Sequence, residues 1–212
     1  MTGTLGRLAI LLGVLASSAS LAQTTEGPGV DLTIFGGTGF GGEFVTDSDI
    51  EIPIKDGSTF GVIIDFEYDD ETQWEIFLLE QDAASDTSDL PGFGPTVDTD
   101  IISLQGGGTY LTGGDKVRPF VAGTLGLTHV DPRGVNTNSD TFWSLSVGGG
   151  VQIALSERVG VRVEGRVLGM LVDSDSLIYC GTGSGGSQCL FKLQGRIVTQ
   201  SHAFAGITFR FR

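Results

Sequence analysis

Two histidines, two cysteines and an excess of carboxylates are the side chains of this sequence that could do chemistry. His202 follows Ser201, but neighbours on an extended strand point to opposite faces, so the two cannot act as a hydroxyl–imidazole pair. His202 therefore reads as a structural hydrogen-bonding residue on an inward face, and His129 as a residue at the outer rim of its strand. Cys180 and Cys189 bound a Gly/Ser-rich segment, CGTGSGGSQC, that offers zinc no His, Asp or Glu. In an exported protein such a pair reads as a disulfide, with two free thiols as the alternative. The glycine-rich stretches Gly36–Gly42 and Gly106–Gly108 have no following Gly-Lys-Ser/Thr and no predicted helix, so they read as places where strands curve or side chains stay small. Asp47, Asp49, Glu51, Asp56, Asp82, Asp86, Asp89 and Asp98 fall in or beside predicted loops, without the spacing of an EF-hand. They read as a solvated acidic surface or as weak divalent-cation ligands. No catalytic, cofactor-binding or metal-ligating set is predicted.

The elements that carry these residues follow from the ends of the chain and its periodicity. Arg7, the apolar run Leu8 to Ala16 and the small-x-small triplet Ser20-Leu21-Ala22 predict a signal peptide over 1–22, cleaved near Ala22. The apolar run is too short for a spanning helix, which needs about 20 residues. A short N-terminal periplasmic segment, 23–29, and one domain, 30–212, are expected to follow. Glycine supplies 34 of 212 residues, which disfavours helices, and the β-branched and aromatic content disfavours disorder. The formal charge of −14 excludes nucleic acid as a partner, because phosphates need a basic surface.

Apolar and polar residues alternate with period two along the whole of that domain. Trp143, Leu145, Val147, Val151 and Ile153 oppose Ser144, Ser146 and Gln152; Ala203, Ala205, Ile207, Phe209 and Phe211 oppose His202, Thr208 and Arg210. About eight strands of roughly 9–15 residues result, long enough to cross a bilayer when tilted. Connections alternate between short turns (Asp70-Glu71, Thr112 to Lys116, Ser156 to Arg158) and long loops (Val45 to Thr59, Gln81 to Val97, Asp131 to Asp140, Asp173 to Gly195). Charges avoid the apolar faces: Arg118, Arg162, Arg166, Arg196 and Arg210 share the other face with Asp31, Asp65, Glu67, Glu75 and Glu164. Inside a narrow barrel these must pair, since a lone buried charge costs several kcal/mol. Aromatics on the apolar faces gather near strand ends: Tyr68, Trp74, Tyr110, Phe209 and Phe211 by the short turns, Phe40, Phe60 and Trp143 by the long loops. Two such belts are expected where rings sit at membrane interfaces. The expected fold is all-β: a closed antiparallel up-and-down transmembrane β-barrel of about eight strands, with short periplasmic turns and long external loops.

The C-terminal run Phe204-Ala-Gly-Ile-Thr-Phe-Arg-Phe-Arg212 resembles the terminal strand that bacterial outer-membrane barrels present to their assembly machinery, with Arg212 following the usual final aromatic. Arg118-Pro-Phe-Val-Ala-Gly-Thr-Leu-Gly-Leu and Val147-Gly-Gly-Gly-Val-Gln are similar to strands of the OmpA/OmpX-like superfamily of small barrels. The resemblance implies a Gram-negative outer-membrane location, with lipid, lipopolysaccharide and the assembly machinery as partners. It leaves function open among structural, adhesive and small-passage roles and, rarely, lipid modification. Similar-sized lipid A deacylases carry a His followed two residues on by Ser; here Asp131 stands at that place after His129, so that activity is not carried over. The expected function is a non-enzymatic outer-membrane protein with a structural or surface-contact role; the alternatives are a narrow solute passage and a lipid-modifying enzyme.

Overall fold

A computed structural model of the chain describes residues 29–45, 51–86, 96–114, 116–133, 139–172, 181–183, 186–188 and 197–211. Twelve strands occur among them: β1 Val30–Phe40, β2 Glu43–Val45, β3 Glu51–Pro53, β4 Gly57–Glu67, β5 Thr72–Asp86, β6 Thr96–Leu111, β7 Val117–Arg133, β8 Asp140–Ala154, β9 Val159–Leu171, β10 Gly181–Gly183, β11 Gly186–Gln188 and β12 Ile197–Phe211. Eight of them close a barrel in the order β1-β12-β9-β8-β7-β6-β5-β4, and every pairing is antiparallel. Closure leaves no sheet edge, so the barrel strands satisfy one another's backbone groups. β2–β3 and β10–β11 are small separate hairpins beside the barrel strands in sequence.

The short connections are held by their own residues. Between β4 and β5, Asp69 Oδ1 accepts the amides of Glu71 and Thr72 at 2.9 and 2.7 Å, an Asx-type turn. Between β6 and β7, Gly113 takes a φ of 97°, which a side chain would resist. Between β8 and β9, Ser156 Oγ accepts the amide of Val159 at 3.1 Å.

At the other end the strands run further than the sequence pattern predicts. β4 begins at Gly57, β5 reaches Asp86, β6 begins at Thr96 and β7 reaches Arg133, all inside segments expected to be loop. The period-two hydrophobic signal fades there because the outward positions become acidic: Asp82 pairs with Asp100, and Asp100 with Asp131. The backbone ladder continues without it, because pairing needs no apolar face.

Alternation sets what faces out. Trp74, Ile76, Leu104, Val121, Leu125, Val147, Ile207 and other large apolar side chains stand exposed on the outside. In register across neighbouring strands, Ile34 lies beside Ile207 and Leu125 beside Leu145, so the greasy surface is continuous. The inside departs from expectation. The alternation predicts a polar, charge-paired inner face, yet Phe35, Ile63, Phe77, Leu79 and Phe204 form one buried cluster. Ile54, Ile101, Val130, Phe142, Leu168 and Met170 belong to a second, at the long-loop end. Apolar filling replaces charge wherever the alternation is broken by apolar residues on both faces, as at Ile34-Phe35, Ile63-Ile64 and Ile101-Ile102.

Candidate functional site

The middle of the interior is built on β9. Arg162, Glu164 and Arg166 fall two apart, so all three project into the barrel. The Arg162 guanidinium bonds within its own strand and to two others: its Nε donates to Glu164 Oε2 at 2.8 Å, Nη1 to Asp65 Oδ2 on β4 at 2.9 Å and Nη2 to Glu75 Oε2 on β5 at 2.7 Å. Arg166 repeats the scheme one turn of the pleat higher. Its Nε donates to Glu164 Oε1 at 2.6 Å and Nη2 to Glu75 Oε1 at 2.7 Å. Glu75 is the hub, accepting from both arginines and from Thr109 Oγ1 at 2.7 Å. Side-chain exposure of the whole set is 0–1 %.

Aromatic rings stack on the cations. The Arg162 guanidinium lies 4.3 Å from the Phe120 ring centroid and that of Arg166 lies 4.0 Å from Phe77. The ring quadrupole attracts each cation where water cannot. Glycine makes the room: a Cβ on Gly148 would meet Glu164 Oε1 at 2.6 Å, and one on Gly61 would meet Phe35 Cζ at 2.3 Å.

A ladder of hydroxyls on β6, β7 and β8 completes the layer, and sequence reading missed it. Thr124 Oγ1 donates to Gln105 Oε1 at 2.6 Å, Ser146 Oγ to the same oxygen at 2.8 Å, and Gln105 Nε2 to Ser144 Oγ at 2.8 Å. Thr128 bridges Ser144 and Ser103 at 2.8 and 2.9 Å. The signal was present as small polar residues at the inward positions of three consecutive strands.

The predicted charged residues thus separate into groups. Asp65, Glu75, Arg162, Glu164 and Arg166 meet in the central cluster. Asp31 and Arg210 form their own pair nearer the short-turn end, at 3.3 Å. Glu67 and Arg118 share the inward face but are only half-buried, at the mouth, where Arg118 donates to the Asp70 carbonyl. Arg196, Cys180 and Cys189 lie outside the described residues. Phe40, Phe60, Tyr68, Trp74, Tyr110, Trp143, Phe209 and Phe211 are all exposed on the outer surface, and Tyr110 donates its hydroxyl to Glu71 at 2.8 Å.

The two histidines differ from expectation in one respect. His129 faces outward and contacts Thr141 Oγ1 at 2.9 Å. His202 is buried as expected, and neither ring nitrogen has a hydrogen-bond partner among the described side chains. Ser201 lies on the opposite face. Among the described residues, no group of three or more His, Cys, Asp or Glu is placed to hold a metal ion.

Comparison with known proteins follows the same lines. Residues 8–176 match the family described as outer membrane protein beta-barrel domain. The structure is similar to that of neisserial surface protein A, NspA, with a TM-score of 0.56 at 11% identity over 86% of this chain and 97% of that one. It also resembles the N-terminal β-barrel domain of Pseudomonas aeruginosa OprF (TM-score 0.47, 15% identity, 87% and 98% covered). A third similar structure is Ail, the attachment invasion locus protein of Yersinia pestis (0.46, 13%, 87% and 99%). No curated protein matches the sequence.

Proposed function

This chain belongs to the outer-membrane β-barrel protein family, and from that premise we propose that it is a non-enzymatic integral protein of the outer membrane with a structural or surface-contact role. The observation that carries the reading is the sealed interior. Arg162 and Met170 are completely buried and Phe77 nearly so, inside the barrel. An eight-stranded barrel is filled by its own side chains. What the protein offers to others is therefore its outside.

On this reading the apolar outer face meets lipid, and the two sets of exposed aromatics sit at its two interfaces. The extended ends of β5, β6 and β7 stand clear of the apolar band. They carry Asp82, Asp98, Asp100, Asp131 and Arg133, with Arg133 paired to Asp100. Burial raises the Asp100 carboxyl above its ordinary value, against the opposing pull of Arg133. This acidic rim is the surface proposed to meet lipopolysaccharide, directly or through weakly held divalent cations. The signal peptide ending near Ala22 and delivery by the outer-membrane assembly machinery belong to the same reading.

Planar-bilayer recording of the purified protein is the test. The expected result is no stable unitary conductance at neutral pH. A steady conductance that disappears in an Arg162→Met variant would replace this reading with a solute passage.

A further inference from the structure

The central cluster does not balance its charge. Asp65, Glu75 and Glu164 are three carboxylates; Arg162 and Arg166 are two guanidiniums. Adding the neighbouring Asp31–Arg210 pair leaves the same excess of one. An uncompensated charge sealed from water costs several kcal/mol, so one positive charge is missing from the account. The cluster's side chains are shut off from solvent, and among the described residues no group of three or more His, Cys, Asp or Glu is placed to hold a metal ion. A proton needs no such group.

The carboxylates are not equivalent. Both oxygens of Glu75 and both of Glu164 accept from arginine. Asp65 uses only Oδ2; its Oδ1 is buried and has no hydrogen-bond partner. Asp65 also lies directly opposite Asp31 on the adjacent strand, a like-charge pairing that destabilises a sheet when both are ionised. Among the described residues, the remaining charged or titratable groups facing this layer do not supply the missing charge. Glu67 and Arg118 are at the wet mouth. His202 on β12 is the register partner of Arg166, and a second cation there would confront a guanidinium with no carboxylate to accept from it.

We propose that the folded barrel binds one proton at neutral pH, on Asp65 Oδ1. The proton is taken from solvent on folding. Oδ2 then acts as the carbonyl oxygen that accepts from Arg162, and Asp65 becomes a neutral member of a charge-balanced cluster.

Infrared spectroscopy of the mature protein in detergent micelles, in heavy water at neutral pH, tests this directly. A protonated-carboxyl C=O stretch, resolved from the carboxylate bands, is expected in the wild type and lost in Asp65→Asn. It should persist in Glu67→Gln, which alters only the mouth. Labelling aspartate with carbon-13 at the side-chain carboxyl should shift the wild-type band, which decides the matter even if Asp65→Asn does not fold. Absence of the band, its survival in Asp65→Asn, or its insensitivity to aspartate labelling overturns the proposal. Stability gives an independent reading. The unfolded chain releases this proton in the ordinary carboxylate range while the folded barrel keeps it, so wild-type stability falls relative to Asp65→Asn as pH rises above that range. A gap that is large, in favour of the wild type and independent of pH would mark a simple ion pair and overturn the assignment.

Discussion

Arg162 Nη1 lies 2.9 Å from Asp65 Oδ2 although the two residues are 97 positions apart and sit on strands that are not neighbours in the sheet. The bond crosses the barrel from β9 to β4, so it forms only when the sheet has closed. The same guanidinium bonds to Glu75 on β5, and the cluster therefore ties both halves of the barrel together through one side chain.

Removing that side chain should be the most damaging single change in the interior. Arg162→Met leaves Glu75 and Glu164 each short of a partner in a place water does not reach. Breaking a buried pair by deleting one partner costs about 3–5 kcal/mol. Denaturant-induced unfolding in lipid vesicles, followed by tryptophan fluorescence, should show a loss of that size; a loss below about 1 kcal/mol, the worth of an exposed pair, would mean that the cluster is hydrated.

Glycines that look alike in sequence should respond differently to a methyl group. At Gly148 a Cβ would sit 2.6 Å from Glu164 Oε1, inside the ion cluster, whereas at Gly165 a Cβ would meet nothing within 4 Å. Gly148→Ala is expected to cost about 1–3 kcal/mol through overpacking. Gly165→Ala, on the outer face, should be close to neutral. Parallel unfolding curves of the two variants check the contrast.

Much of this barrel was legible in its sequence, and the illegible parts share a cause. Strands, their alternation and the inward placement of Arg162, Glu164 and Arg166 follow from a period of two, which local sequence carries. Which carboxylate meets which arginine follows from closure and register, which it does not. Nothing near residue 65 marks Asp65 as the partner of Arg162, and nothing near 81–86 marks that stretch as strand, since its outward residues Asp82 and Asp86 read as loop. The apolar interior around Phe35, Phe77 and Phe204 was hidden for the opposite reason: apolar residues on both faces erase the alternation that identifies a strand.

Trp74 and Trp143 provide the test of which face meets lipid. Each is 61% exposed on the outside, the first near a short turn and the second near the opposite rim. In vesicles, quenchers carried at headgroup depth should quench both more strongly than quenchers at the end of the acyl chains. A label on Leu104→Cys, at an exposed mid-strand position, should show the reverse order. Equal quenching of all three from water would remove the outer face from the membrane.

The turn before β5 carries a pH dependence of its own. The hydrogen bond from the Glu71 amide, aided by those from Thr72, holds the Asp69 carboxyl below its ordinary value against the opposing effect of desolvation. A carboxyl depressed by folding stabilises the fold above its unfolded value, near 3.9 in order of magnitude, and that stabilisation fades as pH falls through the folded value. Asp69→Ala should therefore be less stable than the wild type at pH 7. The gap should shrink as the buffer is taken below the ordinary aspartate range, read from unfolding midpoints across acid pH.

The cysteines lie outside the described residues, and the β10–β11 hairpin lies between them in sequence. β10 and β11 pair Gly181 with Gln188 and Gly183 with Gly186. In protein extracted from membranes under thiol-blocking conditions, neither Cys180 nor Cys189 should take up a maleimide label until a reductant is added. The single variants Cys180→Ser and Cys189→Ser should each expose one reactive thiol. Because the segment closed is small, loss of the bond should leave the unfolding midpoint of the barrel nearly unchanged while making the 173–196 connection more sensitive to protease. Labelling of both thiols in the unreduced wild type would establish that they are free.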